Sequence, residues 1–280
     1  MRVVPRIARS SARDGAELQY TLHDSGEPQA PRLVLVHSLA LDRSVWDRVV
    51  PALGGDVDVL TYDCRGHGAS AKPPGPYTTA LFADDLHDLL TAVGWEHAVV
   101  AGASMGGCVT LQFAASYPQM VDGLGLIDTT AWYGPDAPRS WHERGQKALT
   151  EGLASLIAFQ QTRWFSDAFR AAHPDALEHF ADVFLANDLA AYAATCDMLG
   201  NFDIRAKLAS FDVPAEILVG EEDYATPPEM ARALEADIAG SHLTVVAGAR
   251  HLTPAEIPEQ IALLLNTVIA RRGDSVANRR

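Results

Sequence analysis

Gly102-Ala103-Ser104-Met105-Gly106-Gly107 is the stretch that decides the fold of this 280-residue chain. It follows a short apolar run, 98–101, and opens a stretch of helical periodicity, 105–117. On a sharp strand-to-helix turn the main chain is strained and closely approached, so small residues are needed two positions to either side of the serine. Gly102 and Gly106 meet that need. The hexapeptide predicts a strand–turn–helix unit that presents Ser104 as a nucleophile, in preference to an ordinary glycine-rich turn with a serine cap.

Short apolar runs alternate with amphipathic stretches on both sides of this unit. The alternation is typical of parallel strands that are buried on both faces and connected by helices. It predicts an α/β fold with a mostly parallel sheet and helices on both faces. Strands are predicted at 33–36, 57–62, 98–101, 123–127, 215–219 and 243–246, and helices at 79–93, 105–117, 228–238 and 258–270.

The alternation is interrupted between Trp132 and Lys207. No run there resembles a strand, and alanine, aromatic and charged residues recur at helical spacing. We interpret 132–207 as an inserted helical cap that lies over the sheet. The core is then formed by 1–131 and 208–271, and 272–280 are predicted to be a flexible tail.

The composition limits the partners of the chain. Its net charge of −14 repels nucleic acid and anionic lipid, so neither kind of partner is expected. Three cysteines without CxxC spacing favour neither a disulfide framework nor a zinc site, and a cytoplasmic location is expected. The N-terminal segment lacks the apolar stretch of a secretory signal. A small-molecule substrate is expected, and a homo-oligomer is compatible with the sequence.

A serine hydroxyl needs a base, and that base needs a group that orients it. His251 follows the last apolar run and Asp223 follows the one before it, so the chain order is serine, acid, histidine. The carboxyl ends of parallel strands share one edge of a sheet, which brings these residues together. We predict Ser104 as nucleophile, His251 as base and Asp223 as acid. Asp128, which also ends a strand run, remains the alternative acid.

Two backbone N–H groups are predicted to hold the developing oxyanion. One belongs to Met105, directly after the nucleophile, and the other to Leu39, in the loop after the first predicted strand. His37 is interpreted as a hydrogen-bonding residue that shapes this loop. The stretch 63–70 is interpreted as a tight turn that supports the site, and no metal is predicted at His67 because no second ligand lies at a suitable spacing.

Over nearly its whole length the sequence resembles the α/β-hydrolase superfamily. The resemblance is carried, in the expected order, by His37-Ser38-Leu39, Asp63-Cys64-Arg65-Gly66-His67-Gly68-Ala69-Ser70, the Ser104 hexapeptide and the loops at Asp223 and His251. It implies the α/β-hydrolase fold with a helical cap, and a serine hydrolase that needs no metal or organic cofactor.

A narrower resemblance is to 3-oxoadipate enol-lactonase, an enzyme of aromatic catabolism. It is carried by His37-Ser38-Leu39, by Trp141-His142-Glu143-Arg144 and by Arg163-Trp164-Phe165. It implies that Arg144 and Arg163 meet a substrate carboxylate and that Trp141 and Trp164 line the pocket. The alternative is that the two arginines pair with nearby acids such as Glu143 and Asp167 on a solvated face.

The resemblance implies cleavage of a small ester or lactone through an acyl-enzyme on Ser104. A general carboxylesterase, a carbon–carbon bond hydrolase and a cofactor-free perhydrolase remain alternatives. So does a class without catalysis, a ligand receptor on the same fold.

Overall fold

The computed structural model describes residues 5–278, and in these residues eight strands form one sheet. The strand order across the sheet is β1-β2-β4-β3-β5-β6-β7-β8. The first two strands are antiparallel to their neighbours, and the remaining pairs are parallel. The strands are β1 Arg6–Ser11, β2 Glu17–His23, β3 Arg32–Val36, β4 Asp58–Tyr62, β5 Ala98–Ala103, β6 Val121–Ile127, β7 Ala215–Gly220 and β8 His242–Val246.

The mostly parallel sheet confirms the predicted fold class, and all six predicted strands are present as β3 to β8. Every residue of β5, β6 and β7 is buried, which explains why these strands are continuous apolar runs. The hairpin of β1 and β2 was not predicted. Its first strand lies at the sheet edge, where exposed and half-buried residues leave no apolar run to recognise.

Helices cover both faces of the sheet, as predicted. The helix that follows Ser104 packs on the strands beside it and against the helix Thr79–Ala92. The last long helix packs on β6, β7 and the short helix Val49–Ala52. The helices are α1 Val49–Ala52, α2 Thr79–Ala92, α3 Met105–Ser116, α4 Ala137–Glu151, α5 Ala154–Trp164, α6 Asp167–Ala172, α7 Pro174–Leu185, α8 Leu189–Gly200, α9 Pro228–Asp237, α10 Thr253–Glu256 and α11 Pro258–Asn278. Short 3₁₀ helices occur at Arg43–Trp46, Pro118–Met120 and Arg205–Ser210.

Helices α4 to α8 occupy the segment predicted to be the cap. They pack mainly on one another, α4 against α8 and α5 against α7. The chain enters and leaves the segment side by side, because Trp132 forms a bridge with Asp203 and the Ile204 N–H donates to the Ala131 carbonyl at 3.1 Å. We propose that this juncture is the boundary between the cap and the core.

Helix α11 extends beyond the end predicted for it. Its main chain is helical through Asn278, so it enters the segment 272–280 that was predicted to be a flexible tail. Residues 279 and 280 lie outside the described residues. Within 5–278, no helix combines the length and apolar character required to span a membrane.

The turn at 63–70 is fixed by buried charges. The Arg65 guanidinium donates to both carboxylate oxygens of Asp85 on α2, and both side chains are almost fully buried. It also donates to Asp14 at 2.8 Å. The Asp63 carboxylate accepts the N–H groups of Arg43 and Ala69, each at 2.9 Å. These contacts agree with the interpretation of the turn as a support for the site.

Removing the Asp85 carboxylate should destabilise the fold strongly, because Arg65 would keep a buried charge with only the half-exposed Asp14 as partner. We expect Asp85→Ala to lower the free energy of unfolding by about 3 kcal/mol, measured by urea denaturation. The control is Glu229→Ala, which removes an exposed partner of Arg232 and should change it by less than about 1 kcal/mol. Equal losses in the two variants would contradict this account.

Candidate active site

Ser104 lies on the sharp turn predicted between β5 and α3. Its backbone has φ 56° and ψ −118°, a conformation that L-residues rarely adopt. A Cβ at Gly106 would lie 2.1 Å from the Val36 carbonyl oxygen, and one at Gly102 would lie 2.2 Å from the backbone of Gly106. Side chains at these two positions would therefore force the turn apart. The Ser104 side chain remains at the sheet edge, where it lines a cavity.

A hydrogen-bond chain connects the three residues predicted as a triad. The Nε2 atom of His251 lies 2.8 Å from Ser104 Oγ, and its Nδ1 atom lies 2.7 Å from Asp223 Oδ2. A carboxylate can only accept, so Nδ1 carries a proton and Nε2 is left to accept from the Ser104 hydroxyl. All three residues are buried to more than 90%. The arrangement has the geometry required for proton transfer from serine to imidazole.

Asp223 is held firmly in its loop. Its Oδ1 atom accepts the N–H groups of Ala225 and Thr226 at 2.7 and 2.9 Å, and its Oδ2 atom accepts the Thr226 hydroxyl at 2.8 Å. Four donors, with His251, thus surround this buried carboxylate. They leave it little freedom to turn away from the imidazole.

Asp128, the alternative acid, has different partners. Its Oδ2 atom accepts the N–H and hydroxyl of Thr253 at 3.1 and 2.6 Å, and its Oδ1 atom accepts the Gly220 N–H at 3.2 Å. Complete burial, and next the Asp223 carboxylate, raise the pKa of Asp128 well above its usual value. Gly220 ends β7 and Thr253 follows His251 by two residues. Asp128 therefore connects the two loops that carry Asp223 and His251.

The two predicted oxyanion donors belong to the residue that follows Ser104 and to a residue of the cavity that Ser104 lines. Met105 is the first residue of α3, so its N–H has no acceptor within the helix. Leu39 lines the same cavity as Ser104. The loop of Leu39 is shaped by His37, whose Nδ1 atom is 2.8 Å from the Ser38 carbonyl and whose Nε2 atom accepts the Cys64 N–H at 2.9 Å. Burial lowers the pKa of His37, so the ring is a neutral hydrogen-bonding residue, as interpreted from the sequence.

The cavity above Ser104 has a volume of about 360 Å³, in the range of small-molecule sites. Its floor is formed by core residues and its roof by α4 and α5 of the cap. The four cap residues predicted to bind substrate all line it: Trp141, Arg144, Arg163 and Trp164. They share the cavity with Ser38, Leu39, Ser104, Tyr133, Asp136, Ala137, Ser140, Phe159, Gln160, Ala225, Thr226, Met230 and His251. The acid in this list, Asp136, forms an ion pair with Arg139.

Arg144 is a cation that forms no ion pair with an acid in the part of the chain that the structure describes. Its Nε atom donates to the Tyr192 hydroxyl at 2.7 Å, and its guanidinium lies 4.9 Å from the centre of the Trp141 ring. Within residues 5–272 no carboxylate comes within ion-pair distance of it. The alternative pairing with Glu143 is therefore absent from the described part of the chain.

Arg163 is the second cation in the cavity wall. It donates to the Tyr224 carbonyl and lies over the Phe159 ring. Burial, and next the neighbouring Arg144, lower the pKa of Arg163. Asp167, its predicted alternative partner, instead pairs with Arg170 and Arg250. Arg144 and Arg163 thus both border the cavity, and neither forms an ion pair with an acid of the described residues.

Arg250, which precedes the histidine, was not identified from the sequence. Its guanidinium donates to the carbonyls of Thr162 and Phe165 at the end of α5, at 2.9 and 3.0 Å. It also donates to Glu222, next to Asp223, at 3.2 Å. The side chain therefore holds together the cap, the acid loop and the histidine loop. No local sequence pattern indicates this, since the partners lie 28 to 88 residues away.

Gln160 was also missed. It lines the cavity and is 4% exposed, although a glutamine carries no catalytic signal in a sequence. Helical periodicity in α5 places it on the buried side with Leu156 and Trp164, and this was the available signal.

Among residues 5–272, no cluster of three or more histidine, cysteine or acidic side chains has the arrangement of a metal site.

Comparison with known proteins identifies the class. The family model of the alpha/beta hydrolase fold matches residues 31–256, and the chain belongs to this family of hydrolytic enzymes. The chain is 31% identical to 3-oxoadipate enol-lactonase 1 of Acinetobacter baylyi, over 84% of this chain and 87% of the relative.

Solved structures give the same result. An enol-lactonase from Burkholderia xenovorans LB400 superposes with a TM-score of 0.89 at 31% identity, covering 94% of this chain and all of that one. A thermophilic esterase from Thermogutta terrifontis, solved with malate bound, superposes with a TM-score of 0.85 at 27% identity, covering 96% of this chain and 99% of that one. The similarity thus extends over the cap as well as the core.

The Arg250 contacts lead to a prediction about a residue that adjoins His251 in the chain and fixes the loop that carries it. We expect Arg250→Met to lower kcat/KM by about 10²-fold, because small displacements of catalytic groups have effects of this size. Arg250→Lys should recover only part of the loss, since one ammonium cannot reproduce the fork of a guanidinium. Steady-state kinetics on a 4-nitrophenyl ester measures this, with Arg232→Met as the surface control. Wild-type kinetics in Arg250→Met would disprove the positioning role.

Proposed function

We propose that this chain hydrolyses a small carboxylate-bearing ester or lactone through an acyl-enzyme on Ser104. A compound like 3-oxoadipate enol-lactone is the proposed substrate. One observation carries the proposal. The hydrogen-bond chain from Ser104 through His251 to Asp223 opens into a cavity whose wall contains the guanidinium of Arg144, which has no acidic partner among residues 5–272.

The first half of the proposed reaction forms the acyl-enzyme. His251 Nε2 takes the proton of Ser104 as its oxygen attacks the substrate carbonyl carbon, and Asp223 stabilises the imidazolium through the proton on Nδ1. The N–H groups of Met105 and Leu39 donate to the oxyanion. The carbon–oxygen bond to the leaving group then breaks, and His251 returns its proton to that oxygen. In a lactone, the leaving oxygen stays on the acyl chain.

The second half releases the product. Water attacks the acyl carbon, His251 takes its proton, and the same N–H groups hold the second oxyanion. Collapse returns the proton to Ser104 and frees a carboxylic acid. A lactone with one carboxylate gives a product with a second carboxylate and a hydroxyl, and an enol-lactone gives a keto group in place of the hydroxyl. Only Ser104 and His251 change their protonation state during the reaction.

The cavity charge supports an anionic substrate. A guanidinium recognises carboxylate through parallel N–H donors, and such bonds are about twice as strong as neutral ones. The Nε atom of Arg144 is occupied by Tyr192, which leaves its terminal nitrogens for a ligand. A second cation, Arg163, adds to the positive field. The net charge of −14 opposes an anion at long range, so local cations are required.

The relatives support the same substrate class. Two of them are enol-lactonases, and the thermophilic esterase was solved with malate, a dicarboxylate, bound. A general carboxylesterase is the second candidate. It is favoured by the apolar part of the wall, where Leu39, Trp164 and Met230 would accept a neutral acyl chain.

The proposed acid is tested by two asparagine variants. Asp223→Asn should lower kcat by about 10⁴-fold, because an amide there favours the wrong imidazole tautomer. Asp128→Asn should lower it far less, by at most about 10²-fold, since Asp128 does not contact His251. Turnover of an activated ester provides the measurement. A fluorophosphonate probe should label the wild type but not Ser104→Ala. A larger loss of kcat in Asp128→Asn than in Asp223→Asn would make Asp128 the acid that orients His251. A folded wild type that the fluorophosphonate probe does not label would favour a ligand receptor.

The substrate class is tested by a pair of esters that differ in charge. Mono-(4-nitrophenyl) glutarate and 4-nitrophenyl pentanoate have acyl chains of equal length, and the first carries a terminal carboxylate. We expect Arg144→Met to raise KM for the glutarate ester by about 10- to 100-fold, the value of a charged hydrogen bond, and to affect the neutral ester much less. Arg139→Met, an exposed arginine on the same helix, is the control.

The enol-lactone itself should show the same dependence on Arg144. Equal effects of Arg144→Met on the charged and neutral esters would show that Arg144 does not bind the substrate carboxylate. A wild type that cleaves only neutral esters would leave a general carboxylesterase.

A further inference from the structure

We infer that Gln160 is a substrate-binding residue, and that its amide donates a hydrogen bond to an oxygen atom on the acyl chain of the substrate, apart from the scissile carbonyl and the carboxylate. The inference deepens the proposed function and rests on it for the identity of the site. It adds a second specificity contact next to the charge contact at Arg144.

The position of Gln160 in α5 makes its chemistry unusual. The buried residues of this helix are Leu156, Gln160 and Trp164, spaced four apart along one side. Such a stripe normally consists of apolar side chains that face the core. Gln160 interrupts it with a carboxamide that is 4% exposed. The neighbouring Gln161 is half-buried, and its amide donates to the Leu177 carbonyl at 3.4 Å.

Among residues 5–272, the amide of Gln160 has no hydrogen-bond partner. Its side chain makes no hydrogen bond with any other residue between 5 and 272, although a carboxamide has two donor hydrogens and an acceptor oxygen. Polar groups sealed inside a fold are nearly always paired. The amide atoms of Gln160 are not sealed in this way, although the residue as a whole is 4% exposed, so they face open space instead of the packed core. Gln160 borders the cavity that contains Ser104, His251 and Arg144. A ligand in that cavity supplies the missing partner.

The surroundings favour a donor role for the amide. Arg144 and Arg163 border the same space, and their positive field orients the amide oxygen toward them and the NH₂ group toward the ligand. In the proposed reaction, the N–H groups of Met105 and Leu39 bind the carbonyl oxygen of the scissile ester, and Arg144 binds the carboxylate of the substrate. An acceptor between those two points is left for Gln160. Ether, lactone-ring and keto oxygens have this chemistry.

A matched pair of substrates isolates this contact. Mono-(4-nitrophenyl) glutarate and mono-(4-nitrophenyl) diglycolate carry the same charge and length, and in the second an ether oxygen replaces the central CH₂ of the acyl chain. The ratio of their kcat/KM values is measured for the wild type, for Gln160→Met and for the control Gln161→Met. The difference in intrinsic ester reactivity cancels when ratios are compared between variants.

We expect the diglycolate-to-glutarate ratio to fall by about threefold to tenfold in Gln160→Met, the effect of one neutral hydrogen bond. Gln161→Met should keep the wild-type ratio. The melting temperature of Gln160→Met should equal or exceed that of the wild type, because methionine suits the apolar stripe and removes an unpaired amide. This second readout requires no substrate.

An unchanged ratio in Gln160→Met overturns the inference. So does a lowered melting temperature together with equal losses for both esters, which would make Gln160 a packing residue. The proposed function fails in a different measurement, when Arg144→Met leaves the preference for the glutarate over the pentanoate ester unchanged. The oxygen ratio compares two esters of equal charge, and it decides the role of Gln160 in either case.

Discussion

The backbone at Ser104 has a conformation that costs about 1–3 kcal/mol, and the rest of the site depends on keeping it there. The surrounding contacts do so. The Ser104 N–H donates to the Ile127 carbonyl at 2.9 Å, and the Thr129 hydroxyl donates to the Ser104 carbonyl at 2.8 Å. Gly106 lets α3 approach the Val36 carbonyl closely. Because the turn is fixed from both sides, the hydroxyl meets the imidazole without rearrangement.

The end of β6 is a common anchor for the loops that carry Ser104, Asp223 and His251. Ile127 holds the nucleophile turn, and Asp128 holds Gly220 before the acid and Thr253 after the histidine. Strand β6 lies between β5 and β7 in the sheet, so its end reaches all three loops. The loops that carry Ser104, Asp223 and His251 are therefore all tied to this edge. Burial of the Asp128 carboxylate is by itself unfavourable for folding. The three hydrogen bonds that it accepts from Thr253 and Gly220, together with its role in connecting the loops, account for its presence.

The sequence predicts the parts of the structure that depend on local patterns. Continuous apolar runs revealed β3 to β8, and strand ends followed by Ser104, Asp223 and His251 placed these residues at one edge. The hairpin of β1 and β2 escaped prediction, because β1 has no buried residue and β2 alternates apolar and polar residues, so neither strand is a continuous apolar run. Whether Arg144 had an acidic partner was undecidable from spacing, since pairing depends on helices distant in sequence. Arg250 and Gln160 escaped for the same reason, since periodicity gives burial but not partners.

Two polar groups of the cap border the cavity without a matching partner among the described residues, and their place indicates which part recognises the substrate. The core also contains buried polar atoms without a partner among the described residues, at Trp46, Tyr62, His67 and Thr110, but none of these residues lines that cavity. Other buried groups of the core are paired. In the core, Arg65 has Asp85, His37 has Ser38 and Cys64, and Asp223 has four donors. On the cavity side of the cap, Arg144 lacks an acid and Gln160 lacks any side-chain hydrogen bond among the described residues. A cap optimised for stability alone would place apolar residues there. The guanidinium of Arg144 and the amide of Gln160 are therefore best explained by a ligand in the cavity that carries the matching acceptors.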